Sequence, residues 1–305
     1  MTIQLGLIGH NGHIGSALLP FLLDANEKGK IHLVILHRPS SDLGVIPTKI
    51  ERRIIRLDDH TDEGDQVNKN AVEGLEVLIS TMSDASLHVQ LPLLDILAAS
   101  KTLKTFIQSD FGVSWTASEI NDSKGLQTLV PIKEEINKKM KDLGIPWLNV
   151  RIGLLVDYFF GLKFLGTDVQ KNKIVLYKDA LNKPLRLTSS KYLGHALTQL
   201  ILTSSSNLDS LNGRAIHIFN YTPSGQELID TFQKVHHRQP IIEQYTLEEY
   251  ERDSEDTNLV MSIKAGLLRK WGEDTWSTFD DEEILPHDPT WTGQRDLQDV
   301  LRDFM

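Results

Sequence analysis

The opening of the chain constrains its fold more than any other stretch. An apolar run, Ile3–Ile8, leads into Gly9-His10-Asn11-Gly12-His13-Ile14-Gly15-Ser16, a G-x-x-G-x-x-G pattern. A short unbroken apolar run reads as a buried parallel strand. The residues after it, His13–Ala25, carry apolar side chains at helical spacing (Ile14, Leu18, Leu22). A glycine pattern between a strand and a helix is the nucleotide-binding turn of a βαβ unit. Gly9 lets the chain turn, Gly12 leaves room for a pyrophosphate against the backbone, and Gly15 lets the helix pack closely on the sheet. Backbone N–H groups of Asn11, Gly12, His13 and Ile14 are then placed to face phosphates at a helix N-terminus.

The rhythm continues. Strands are expected at Ile31–Leu36, Arg53–Leu57, Val77–Ser80, Thr105–Gln108 and Trp147–Ile152, and helices at Val67–Val72, Leu87–Ala99 and Thr128–Leu143. Alternating strands and helices imply an α/β fold with a doubly wound parallel sheet of Rossmann type. After Leu155 the alternation weakens. The expected division is a dinucleotide-binding domain over residues 1–155, with 190–220 returning to it. Residues 156–189 and 221–305 then form a smaller C-terminal α/β substrate lobe.

The residues after the second strand bear on which dinucleotide is bound. An NAD-preferring domain usually places Asp or Glu there to accept from the ribose 2′-hydroxyl. This chain has His37-Arg38-Pro39-Ser40-Ser41. The Arg38 guanidinium suits a 2′-phosphate, which it can meet through bidentate charge-assisted bonds. Ser40 could add a hydroxyl and Lys49 a charge near the adenine. NADP(H) is therefore the expected cofactor.

Composition excludes several classes. The 305 residues include no cysteine, so disulfides, thiolate metal sites and cysteine nucleophiles are absent. His10 and His13 lack further ligands at metal-like spacing, so no metal is expected. The net charge is −10 without a basic patch, which argues against nucleic acid and anionic membranes as partners. No apolar run reaches the ~18 residues of a membrane span, and no targeting signal precedes the first strand, so a cytoplasmic location is expected. The expected partner is a small-molecule substrate, with a homodimer left open.

Short-chain dehydrogenases carry Tyr-x-x-x-Lys on the helix after the fifth strand. Here the register reads Leu129-Val130-Pro131-Ile132-Lys133. The lysine survives, but leucine cannot exchange a proton, so tyrosine-based carbonyl reduction is not expected. Further motifs follow: Gln108-Ser109-Asp110-Phe111-Gly112, Gly144-Ile145-Pro146-Trp147 and Asp157-Tyr158-Phe159. Together with the glycine loop and Lys133 they resemble the P-S-E-F-G, G-I-P-Y/W and G-Y-F segments of the NmrA-like and isoflavone reductase-like group of atypical short-chain dehydrogenases. Gln108 departs from that group's usual proline, and Lys191-Tyr192-Leu193-Gly194 from its acidic-Ile-Gly segment.

The resemblance implies an NADPH-dependent reductase of small, often aromatic metabolites, phenylpropanoid- or isoflavonoid-like, with Lys133 at the nicotinamide end. Lys133 would hold the ribose and act as general acid/base. A free lysine titrates near ~10.4, so work as a base near neutrality needs desolvation or a neighbouring positive charge. Thr81, Met82, Ser109, Phe111, Gly153 and Leu155 are expected along the cofactor, and Tyr158, Phe159 and Phe160 at the substrate. Trp271, Trp276 and Trp291 either border the pocket or pack the lobe. The competing reading is a non-enzymatic NADP(H)-sensing regulator, since some NmrA-like proteins bind dinucleotide and then partner proteins.

Overall fold

A computed structural model describes residues 2–276 and 282–305. The glycine-loop strand β1 (Ile3–Ile8) and helix α1 (His13–Glu27) stand where the sequence puts them. They are followed by β2 (Ile31–His37), β3 (Glu51–Ile54), α2 (Asp62–Val72), β4 (Val77–Ser80), α3 (Gln90–Ala98) and β5 (Thr105–Ile107). These strands form a sheet of order β3-β2-β1-β4-β5 whose neighbouring strands are paired in parallel. A parallel bridge from Phe106 to Trp147 extends the order towards β6 (Leu148–Arg151). The fold is thus α/β with a Rossmann-type parallel sheet.

Leu5, Leu7, Val34, Ile35, Leu36, Val77, Leu78 and Ile79 are all buried. Their near-continuous apolar runs reflect strands covered by helices on both faces.

Some boundaries differ from the sequence reading for local reasons. The third strand uses Glu51-Arg52-Arg53-Ile54 rather than 53–57, because it is an edge strand with alternating exposure and needs no apolar run. Ile55 and Leu57, which suggested the later position, are buried beyond its end. Helix α2 starts five residues before Val67, at Asp62, where Thr61 caps Gly64 N–H and the acidic first turn suits the positive helix end. Its exposed first turn carries no apolar spacing to find.

The helix bearing Lys133 is α5 (Lys124–Asp142), preceded by the short α4 (Ala117–Asn121). It starts four residues before Thr128 and keeps Pro131 inside it. The later elements are β7 (Leu154–Leu155), β8 (Lys173–Tyr177), β9 (Leu187–Thr188), α6 (Ser190–Thr203), β10 (Arg214–His217), α7 (Gly225–His236), β11 (Ile241–Tyr245), α8 (Leu247–Ser254), α9 (Leu259–Glu273), β12 (Glu282–Ile284) and α10 (Leu297–Arg302).

The chain divides into two compact units. The first comprises residues 1–111, 132–150 and 193–216; the second comprises 112–131, 151–192 and 217–305. The second unit has its own core, in which Phe159, Phe160, Leu228, Phe232, Leu268 and Trp271 are buried. Parallel pairs β8–β11 and β7–β9 lie in it.

Phe159 was expected at the substrate, and its placement corrects that expectation. It is 0% exposed and packs edge-on against Phe160 and Trp271, at centroid distances of 4.7 and 6.3 Å. Phe160 packs against Phe232 and Phe304. Trp271 and Trp276 are also buried, and their indole N–H groups donate to the carbonyls of Lys183 and Pro184. Burying these large faces contributes more to the second unit than a pocket wall would gain. Phe159→Ala should accordingly lower stability by about 3–5 kcal/mol through the cavity it leaves, measured by denaturant unfolding; a loss below about 1 kcal/mol would show that the ring is not a core element.

Candidate functional site

The glycine loop is built by close approach. Gly9 has φ +86°, a left-handed conformation that favours glycine. A Cβ on Gly15 would lie 2.1 Å from the Gly9 carbonyl oxygen, so only glycine lets α1 start this near the end of β1. Gly12 is different: its backbone is extended, at φ −73° and ψ 168°, and no side chain caps the helix. Asn11, Gly12 and His13 are exposed. No side chain of Gly12 closes this end of the helix, and the first turn of a helix is where an anion meets backbone N–H groups.

Thr81 turns out to support the loop by its side chain as well. Its hydroxyl is 2.8 Å from the Ile8 carbonyl and 3.0 Å from that of Gly9, joining the end of β4 to the turn. The Ser109 hydroxyl donates to the Met82 carbonyl, joining the ends of β5 and β4.

The turn after β1, Thr81 and Met82 border a cleft of about 470 Å³ within the first unit; Ser109 lies behind Met82 and off the cleft wall. Of the expected cofactor residues it gathers Gly9, Asn11, Gly12, Arg38, Thr81 and Met82. Arg38 is exposed and, among the described residues, forms no ion pair. His13, Ile14 and Gly15 stand at the start of α1 rather than on the cleft wall. Lys49 lies off the wall and pairs with Glu27 at 3.3 Å. Ser41 borders the cleft where Ser40 was expected.

Other cleft residues escaped the sequence reading. His10, considered only as a metal ligand, is buried and donates from Nε2 to the Asp42 carbonyl at 3.0 Å. Asn11 donates to the same oxygen at 2.7 Å. Asp42 itself borders the cleft. The acidic side chain five residues past His37 was the signal that could have been weighed. No cluster of three or more potential metal ligands occurs among the described residues.

Lys133 extends from α5 to Asp110, with Nζ 3.1 Å from Oδ1; the lysine side chain is 18% exposed and the aspartate 5%. Asp110 follows Ser109 in the Gln-Ser-Asp-Phe-Gly segment, so the β5 turn that reaches Met82 also places the carboxylate. The pairing holds the lysine Nζ in place against a carboxylate. Leu129, at the position of the missing tyrosine, is buried.

Gln108 fills the place of the family's proline differently: its amide donates to Asn137 and Asn149, at 2.8 and 3.1 Å. It thereby ties β5 to α5 and β6. Phe111 ends the first piece of the first unit and is partly buried. Gly153 and Leu155 belong to the second unit. A Cβ on Gly153 would meet the Arg186 carbonyl at 2.6 Å, and Leu155 is buried. Tyr158, in the same unit, is 36% exposed.

No protein-family model matches the chain. It is 25% identical over 182 residues to phenylcoumaran benzylic ether reductase TP7 of Nicotiana tabacum, an alignment covering 58% of this chain and 56% of that protein. Its fold is similar to AtPrR2 with NADP+ and (+)pinoresinol, with a TM-score of 0.79 and 19% identity over 100% of this chain and 99% of that one. An isoflavone reductase matches with TM-score 0.78 and 14% identity over 100% of both chains. The leucoanthocyanidin reductase–NADPH complex of Vitis vinifera matches with TM-score 0.76 and 14% identity over 99% of both. In sequence and in fold the chain is similar to the isoflavone reductase-like proteins, the group its motifs resemble.

Proposed function

We propose that the chain is an NADP(H)-dependent reductase of a small aromatic metabolite, phenylpropanoid- or isoflavonoid-like. The observation that carries this is the cleft itself: the glycine turn that leads into α1 (Gly9, Asn11, Gly12) and Arg38 after β2, which forms no ion pair among the described residues, share one wall. The residues fit the cofactor, because Gly12 at the start of α1 is exposed and presents no side chain to an approaching phosphate. The N–H groups of α1 would hold the pyrophosphate and Arg38 the 2′-phosphate.

When bound, the dinucleotide supplies a hydride. Lys133 would hydrogen-bond the ribose and donate a proton to the substrate oxygen as an adjacent carbon accepts that hydride. Asp110 would orient the ammonium. The likeness to AtPrR2 with NADP+ and (+)pinoresinol supports the aromatic substrate class.

The direct test follows NADPH oxidation against phenylpropanoid, isoflavonoid and quinone-like compounds. Turnover of at least one class is expected. Tight NADP(H) binding without turnover of any compound would favour the sensing regulator instead. Arg38→Ala should weaken NADPH binding by roughly 10- to 100-fold, the loss of a charge-assisted contact of about 1.5–3 kcal/mol, and NADH binding much less. Equal losses in a fluorescence titration would sink the 2′-phosphate assignment.

A further inference from the structure

The loop after β2 carries two opposite charges into the cleft. Arg38 and Asp42 both border it, and neither forms an ion pair among the described residues. The position of Asp42 is fixed from three sides. Its carbonyl oxygen accepts from His10 Nε2 at 3.0 Å and from Asn11 Nδ2 at 2.7 Å. Its carboxylate Oδ1 accepts from Gly44 N–H at 2.8 Å. The glycine loop therefore holds the β2 loop through the two residues between Gly9 and Gly12, and it presents the carboxylate in a fixed attitude.

A carboxylate at this end of such a cleft is chemically suited to a ribose 2′-hydroxyl, which can donate to it. A 2′-phosphate carries only acceptor oxygens and negative charge, so the same group repels it. Arg38 has the opposite preference. We propose that Asp42, pinned by His10 and Asn11, is a second determinant of cofactor choice that opposes Arg38, so that the cleft takes NADH as well as NADPH. This rests on the dinucleotide reading above and adds to it a specificity that the arginine alone does not give.

The test is the ratio of NADPH to NADH affinity, read by titration of the full chain with each reduced cofactor. Asp42→Asn is the informative variant, because its amide oxygen can still accept from Gly44 N–H while the charge is gone. Wild type should bind both cofactors, and the variant should raise the ratio at least roughly fivefold, an effect of about 1 kcal/mol. The probes 2′,5′-ADP and 5′-AMP should show the same change, which places it at the 2′ position.

A ratio unchanged within twofold in Asp42→Asn, with both cofactors bound, overturns this inference and leaves the dinucleotide reading standing. Equal loss of both cofactors in Asp42→Asn would mean that the residue only supports the loop, and also overturns it. Failure of wild type to bind either cofactor would overturn both.

Discussion

Gly15→Ala is expected to lose dinucleotide binding and to melt several degrees below the wild type. The new Cβ would lie 2.1 Å from the Gly9 carbonyl oxygen and 2.8 Å from the Thr81 hydroxyl. Backbone cannot move aside as a side-chain tip can, so α1 must shift off the sheet. Overpacking of this kind costs about 1–3 kcal/mol, and the upper end applies where backbone must move. Gly12→Ala is the matched comparison. Its Cβ would meet nothing nearer than the Gly9 carbonyl at 3.3 Å, and its backbone conformation suits any residue. It should keep the wild-type melting temperature and still weaken binding, because the methyl group would occupy the approach to the helix N-terminus. Calorimetry and NADPH titration of the two variants separate the roles. A Gly15→Ala protein that melts and binds like the wild type would refute the close-approach account.

The second large effect concerns Lys133. Once a substrate is in hand, Lys133→Ala should lower kcat by about 10²- to 10⁴-fold, the usual contribution of a positioned proton donor. Removing one partner of a largely buried ion pair also strands the other, at about 3–5 kcal/mol, so the single variant could lose activity by unfolding. The double variant Lys133→Met/Asp110→Asn removes both charges and should recover most of the stability without recovering turnover. Asp110→Asn alone keeps the lysine and should reduce kcat less than Lys133→Ala does. If the double variant turned over substrate at the wild-type rate, the lysine would have no part in the chemistry.

The glycine loop was legible because backbone requirements leave a direct trace: a positive φ at Gly9 and a near-contact at Gly15 both demand glycine. The parallel sheet was legible because strands covered on both faces must be apolar throughout. Where those conditions lapse, the trace fades. The edge strand β3 draws on Glu51, Arg52 and Arg53, which nothing in their chemistry marks as strand residues. Helix α2 begins in three acidic residues whose purpose is electrostatic.

The site divides in the same way. Arg38 could be found because its place is set by chain order relative to β2. The grip of His10 and Asn11 on Asp42, and of Lys133 on Asp110, joins separate elements that only the folded sheet brings together. Phe159 shows a different limit. An aromatic side chain has the same sequence signature in a wall as in a core, and only its neighbours Phe160 and Trp271 decide between them.

The segmentation of the chain has a consequence for its synthesis. The first unit is assembled from residues 1–111, 132–150 and 193–216, so the chain changes unit four times before residue 217. A ribosome releasing the glycine loop early cannot complete the unit around it until the third piece has emerged. The nascent chain must hold an unfinished sheet through much of translation, with the apolar flank of β5 waiting for the strand that begins after Trp147. Cutting the gene after residue 155 would therefore yield a fragment that carries every glycine of the turn after β1 and lacks the last segment of its own domain.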